Sequence, residues 1–438
     1  MTTVLRRAGI TRREVRWLVA IAVLGFAVRL AFVLATHGHH LVGDEIEYDT
    51  EGRFIAGGHW FWTLAPTGVA HAGIWKTPIY PMFVGLLYKL LGQHYDRVLL
   101  VQTLVGPITI VLTWLLGRRW FGPRTGLAAA AVVALSPFAW QFEVRLFAES
   151  LATPLTLLFL LWLIERTPTP RRAVLIGVTC GVLVLTRPSS VYLLPAIAAA
   201  FVIGAGIRRG ATLTGAAVLV AVLTVAPWSI RNHSVSGAWV PLSIQQVAPY
   251  GTFNDQAAHD PRNPWAWRLW NKRDAPILAH ARQLGDVKFQ DRLVHNTRRY
   301  IEDHPASLLK AFYWNGITRL WDVRRPSHVL DEVRFSGRSR TLTAIGLGIY
   351  WVLLPLALGG LWLARRRRGL VIPLLALVAS ASVVFTAEAG TRYRAPFEPL
   401  IAVLACFAAV RLLDTIRSRR EAARTHRRAE PPVAQPLA

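Results

Sequence analysis

Long apolar runs alternate with short basic clusters along almost the whole chain, a pattern that predicts membrane-crossing helices. The first run extends from Trp17 to about Thr36 and is interrupted only by Arg29. Later runs fall at roughly 98–117, 125–141, 147–165, 173–187, 190–205, 212–228, 341–364, 370–387 and 395–413. A helix needs about 20 residues to cross a hydrocarbon core, and these runs approach or reach that length. The clusters between them are Arg118, Arg119 and Arg124; Arg166, Arg171 and Arg172; Arg208 and Arg209; and Arg365 to Arg368. A basic tail follows, with Arg411, Arg417, Arg419, Arg420, Arg424, Arg427 and Arg428. Basic loops stay on the cytoplasmic side, so two spans separate each cluster from the next, giving about ten spans with both termini in the cytoplasm. One further apolar segment, 77–91, cannot be counted as a span, because every later cluster would then face outward. It is read as a helix lying along the outer surface.

The expected fold is therefore an all-α integral membrane protein with surface helices in the first external loop and a small external domain. Residues 1–228 are expected to form a membrane module with a first external loop at 37–97, which carries the acidic run taken up below. Residues 229–340 form the external region, polar and rich in Trp and Asn, with helices expected at Pro276–Tyr300 and Pro305–Leu320. Helices return to the membrane over 341–413, and 414–438 is a basic cytoplasmic tail whose last residues, Glu430 to Ala438, read as disordered.

Composition agrees with this reading. Hydrophobic residues make up 53% of the chain and charged residues 17%, against about 25% charged in soluble domains. The net charge of +25 would ordinarily suggest nucleic acid, but arginines confined between apolar runs orient a chain in a bilayer instead. The only cysteines, Cys180 and Cys406, both lie in apolar segments, which excludes a disulfide framework and a CxxC metal site. The basic start followed by the long first run reads as an uncleaved span rather than a signal peptide.

Four groups of residues could carry chemistry. Gly43-Asp44-Glu45-Ile46-Glu47-Tyr48 places two adjacent carboxylates just outside the first span, where they suit a general base, a divalent cation or simply a solvated helix start. Trp75-Lys76-Thr77-Pro78-Ile79-Tyr80-Pro81 sets a lysine at the interface, placed to grip a lipid phosphate or to snorkel. Glu143, Arg145 and Glu149 are ionisable groups at membrane depth, with Arg145 and Glu149 spaced for a local ion pair. Arg392-Tyr393-Arg394 puts two arginines on the outer side, against the topological trend, as phosphate ligands or as partners of Glu388 and Glu398. His37, His39 and His40 lie close to Asp44, where they could bind metal, but without a fixed ligand spacing. Trp265, Trp267 and Trp270 suit either sugar stacking or an interfacial belt.

Taken in order, Asp44-Glu45 with Tyr48, Lys76-Thr77-Pro78, Gly117-Arg118-Arg119-Trp120-Phe121-Gly122, Leu185-Thr186-Arg187-Pro188, Pro227-Trp228-Ser229-Ile230-Arg231-Asn232 and Arg392-Tyr393-Arg394-Ala395-Pro396 resemble a known family. They are similar to the GT-C glycosyltransferases of the protein O-mannosyltransferase and aminoarabinose-transferase type. The resemblance implies a bacterial plasma-membrane enzyme. It would move a sugar from a polyprenyl-phosphate carrier to an acceptor hydroxyl on a glycan, lipid or protein at the outer face. It further implies Asp44 as the catalytic carboxylate with Glu45 beside it, Glu149 as a second acid, and Lys76 on the carrier phosphate. Tyr48, Tyr80, Arg145, Arg392 and Arg394 complete the expected substrate-binding set. No metal ligand is assigned, although a divalent cation is compatible with the chemistry. Thr77 stands where the family often has a second proline. The rival reading is a transporter or lipid flippase, but repeated halves and paired broken helices are not evident, and the polar groups gather on one face.

Overall fold

The computed structural model describes residues 9–64, 68–164, 168–244, 247–268, 275–335, 337–366 and 390–429, with single positions 371, 375, 378 and 382. Most of the predicted run 370–387, together with Glu388, Arg166, Arg367, Arg368, Trp270 and residues 430–438, lies outside the described residues.

The chain is predominantly helical. Thr11 caps helix α1 (Arg12–Ala35), accepting from the backbone of Glu14. The first external loop holds α2 (Asp44–Ala56), a two-stranded antiparallel ribbon of β1 (Trp62–Thr63) and β2 (His71–Ala72), and α3 (Ile79–Leu91) packed on α2. Next come α4 (Tyr95–Gln102), α5 (Val105–Phe121), α6 (Pro123–Leu135), α7 (Glu149–Leu163), α8 (Pro170–Thr186), α9 (Leu194–Ala205) and the long α10 (Ile207–Ser236). The external region contains α11 (Ala275–Asp303) and a π-helical turn, Phe312–Arg319. The chain closes with α12 (Arg340–Ala364), a short turn at Thr391–Arg394, and α13 (Glu398–Ala429).

Among the described residues, six helical stretches are long and apolar enough to cross a membrane: Arg12–Ala35, Tyr95–Phe121, Pro188–Ala205, Ile207–Ser236, Arg340–Ala364 and Thr391–Ala422. Their outward faces carry apolar side chains such as Leu219, Val222, Leu223 and Val352, as lipid-facing helices require. The expected runs 125–141 and 147–165 appear as shorter apolar helices, α6 and α7. Pro137 accounts for the first: it biases Ser136 toward extended backbone, and α6 stops one residue earlier. α10 continues through Pro227 to Ser236.

Packing relies on close backbone approach. α5 and α6 meet through Gly117 and Gly126; a Cβ on Gly126 would lie 2.6 Å from the Trp114 carbonyl. Arg29, the one charge in the apolar run that starts at Trp17, is completely buried. Its Nε donates to Glu143 Oε2 at 2.7 Å and its Nη1 to the Gly25 carbonyl at 3.0 Å, as a charge at membrane depth must.

Candidate active site

Helical geometry sorts the acidic run. Asp44, Glu47, Tyr48 and Glu51 recur at i, i+3, i+4 and i+7, so they share one face of α2, while Glu45 is turned about 100° away. Gly43, with φ of 56°, provides the left-handed step into the helix.

Asp44 meets two cations. Lys76 Nζ lies 3.3 Å from Oδ1, and Arg392 Nη1 lies 2.7 Å from Oδ2. Lys76 also reaches Glu47 Oε2 at 2.6 Å and sits 5.1 Å from the centre of the Tyr48 ring. Arg392 continues to Glu149, donating from Nε to Oε1 at 2.6 Å, and its guanidinium lies 4.6 Å from the Phe147 ring centre. Arg187 approaches the same Glu149 oxygen at 3.1 Å, while Glu149 Oε2 is buried without a hydrogen-bond partner. Lys76, Arg392 and Arg187 thus thread three carboxylates into one chain of charges. Burial would raise the Asp44 carboxyl, but Lys76 and Arg392 outweigh it and hold the group well below the usual carboxylate range. Burial would correspondingly lower Lys76, yet Asp44 and Glu47 keep its ammonium well above its ordinary value.

Each member is positioned by a different part of the chain. Lys76 follows a strap whose Gly73 carbonyl accepts from the Arg231 guanidinium and whose Ile74 carbonyl accepts from the Ile244 amide at 3.0 Å. Asn232, next to Arg231, donates to the carbonyls of Val240 and Leu242, each at 3.0 Å. The Pro227–Asn232 motif therefore serves to hold the lysine strap. Arg187 ends α8 ahead of Pro188 and lies 4.7 Å from the Tyr393 ring centre. It opens onto a groove lined by Thr156, Ser189, Ser190, Tyr192 and Tyr393.

Other expected residues are placed differently. Glu45 is completely buried and binds His39 Nε2 and the Leu146 amide, each at 3.2 Å. It ties α2 to the segment ahead of α7 and does not share the Asp44 cation pair. Tyr80 is buried beneath Tyr48 in an edge-to-face contact of 4.7 Å, and its hydroxyl donates to Gln102 at 2.9 Å. Arg145 makes no ion pair with Glu149: it lies 5.3 Å from the Phe32 ring centre, its Nε and Nη1 buried without hydrogen-bond partners. Arg394 is enclosed by Asp322, Glu398, the Leu320 carbonyl and the Tyr350 ring, away from the Asp44 pair. Trp265 is a core residue packed with Phe253 and Ala311. Among the described residues no three His, Cys, Asp or Glu side chains form a metal-binding group. Arg187 was not expected as a site residue; an arginine at the outward end of an apolar run, before proline, was the available signal.

Residues 75–230 match the family model of dolichyl-phosphate-mannose-protein mannosyltransferases. The chain is 28% identical, over half its own length, to undecaprenyl phosphate-alpha-4-amino-4-deoxy-L-arabinose arabinosyl transferase 1 of Pseudomonas fluorescens, of which it covers 41%. An Archaeoglobus fulgidus oligosaccharyltransferase tethered to an acceptor peptide superposes over 94% of this chain and 51% of its own, with a TM-score of 0.55 at 14% identity. The archaeal oligosaccharyltransferase AglB from the same organism, in complex with an inhibitory peptide and a dolichol-phosphate, aligns over 98% of this chain and 53% of its own, with a TM-score of 0.52 at 13% identity. The chain thus spans about half the length of these proteins or less. The chain shares the multi-spanning helical fold of these membrane glycosyltransferases.

Proposed function

We propose that this protein transfers a sugar from a polyprenyl-phosphate donor to an acceptor hydroxyl at the outer face of the bacterial plasma membrane, with inversion at the anomeric carbon. The observation that carries this reading is the convergence of Lys76 and Arg392 on Asp44, with Arg187 one carboxylate further on. A carboxylate and a set of cations side by side match the two charges that change in such a reaction. The acceptor oxygen forms a bond to the anomeric carbon, and the bond from that carbon to the phosphate oxygen breaks. The phosphate leaves with the bonding electron pair, and Lys76 and Arg392 stabilise its developing charge, with Arg187 adjoining. Asp44, held ionised, takes the acceptor proton. As phosphate draws the two cations toward itself, the carboxylate recovers proton affinity, so proton uptake and departure of the leaving group reinforce each other. One displacement inverts the centre. The groove beside Arg187, which joins hydroxyls to apolar side chains such as Leu193 and Phe397, leads the carrier toward the site.

The relatives act on lipid-linked sugars by their names, which supports the donor class. The test is transfer by purified protein in lipid, using radiolabelled polyprenyl-phosphate sugars and a cell-envelope acceptor extract. Asp44→Asn should fold normally and lose transfer by about 10²–10⁴-fold, the usual weight of a general base. Undiminished transfer by Asp44→Asn would reject the proposed base.

A further inference from the structure

Arg392 reaches the site from a helical turn of only four residues, Thr391–Arg394, entered through Gly390. So short a turn cannot fix itself through its own backbone hydrogen bonds. Side chains anchor it instead. Thr391 Oγ1 donates to Asp322 Oδ2 at 3.0 Å, and Arg394 Nη2 lies 3.1 Å from that same oxygen. Arg394 also donates to Glu398 and to the Leu320 carbonyl, each at 2.6 Å. Asp322 is completely buried and holds a left-handed φ of 45°, a conformation that residues with a side chain adopt only where the surroundings enforce it. Trp351 Nε1, on α12, donates to its carbonyl at 3.1 Å. On the far side Arg324 lies 3.7 Å from Asp322 Oδ1 and 2.6 Å from Glu332, which Arg319 also meets at 2.7 Å. Burial would raise the Glu332 carboxyl, but the two arginines hold it down to about 2. One buried carboxylate therefore joins the external region, a spanning helix and the turn that carries Arg392.

We propose that Asp322 is a positioning residue, holding the Thr391–Arg394 turn so that Arg392 stands between Asp44 and Glu149. This rests on the reading of Arg392 as a ligand of the carrier phosphate. Arg392 makes contacts of 2.6–2.7 Å to both carboxylates, and a shift of about 1 Å in the turn would break that geometry. Loss of Asp322 leaves Arg394 and Arg324 without their shared anion and releases the Thr391 hydroxyl, so the turn moves. Glu398 still pairs with Arg394, which keeps the surrounding core closed.

The experiment measures binding of undecaprenyl phosphate, as a probe, to the full chain in lipid nanodiscs. It compares wild type, Arg392→Ala, Asp322→Asn, Thr391→Val and the two double variants with Arg392→Ala, with thermal unfolding checked throughout. Asp322→Asn should weaken the probe by about tenfold and Thr391→Val by about threefold, and neither should cost anything further once Arg392 is alanine. A merely structural residue would weaken binding equally in both backgrounds. Additive losses, or unchanged binding in both folded single variants, would overturn the positioning role while the phosphate reading stands. Wild-type binding by Arg392→Ala would overturn both. Where Asp322→Asn fails to fold, the Thr391→Val cycle decides by the same criterion.

Discussion

At the scale of single residues, Glu51 shows how the site's electrostatics extend beyond the groups that meet directly. It lies two helical turns along α2 from Asp44, is 5% exposed, and has no ion-pair partner among the described residues. Burial pushes its carboxyl up to about 8 despite the nearby Lys76. Because the folded value lies above the unfolded one, Glu51 supports the fold fully below about pH 4.5, and that contribution is lost as pH rises toward 8. Glu51→Gln should therefore stabilise the protein increasingly from pH 5 to pH 9, by roughly 2–4 kcal/mol at the upper end, read as a widening gap between melting temperatures. A constant gap would mean that the native carboxyl titrates normally. Asp44 titrates in the opposite sense: held low by two cations, it stays ionised across the working range. Residues of one chemical type on one helix face thus take different roles according to which cations reach them.

At the scale of elements, the decisive features are close approaches that sequence periodicity does not announce. α5 and α6 are joined through Gly122 and press Gly126 against the Trp114 carbonyl. Gly126→Leu should force them apart and lower stability by about 1–3 kcal/mol, measured by thermal unfolding in detergent or lipid. An unchanged melting temperature would show that the helices separate freely. The acidic pair makes the same point at the site. Adjacent carboxylates look equivalent in sequence, yet consecutive helical residues diverge by about 100°. Asp44 consequently meets Lys76 and Arg392, while Glu45 pins the Leu146 amide. The i to i+4 spacing of Arg145 and Glu149 suggested a local pair, but Glu149 has two better-placed arginines from distant segments.

At the scale of the whole molecule, the basic clusters carry the proposed orientation of the chain. If both termini lie in the cytoplasm, a cysteine at Ser234, near the end of α10, should react with a membrane-impermeant maleimide in intact cells. One at Ser418, on the tail of α13, should react only after lysis. The background would carry alanine at the buried Cys180 and Cys406. Reversed labelling would invert the topology and move the site to the opposite face. The sequence by itself determined the membrane class, most of the helical segments, the external location proposed for the site, and the candidates Asp44, Lys76, Arg392 and Glu149. Burial in lipid and the sidedness of arginine are written in composition and order, so they can be read locally. Only the tertiary structure decided that Lys76 and Arg392, separated by most of the chain, share one carboxylate. It also recruited Arg187, diverted Glu45 and Arg394 to structural contacts, and tied the Arg392 turn to Asp322. Those outcomes depend on distances between segments far apart in the chain, and side-chain charges pair with whatever folding brings within about 4 Å, not with their neighbours in sequence.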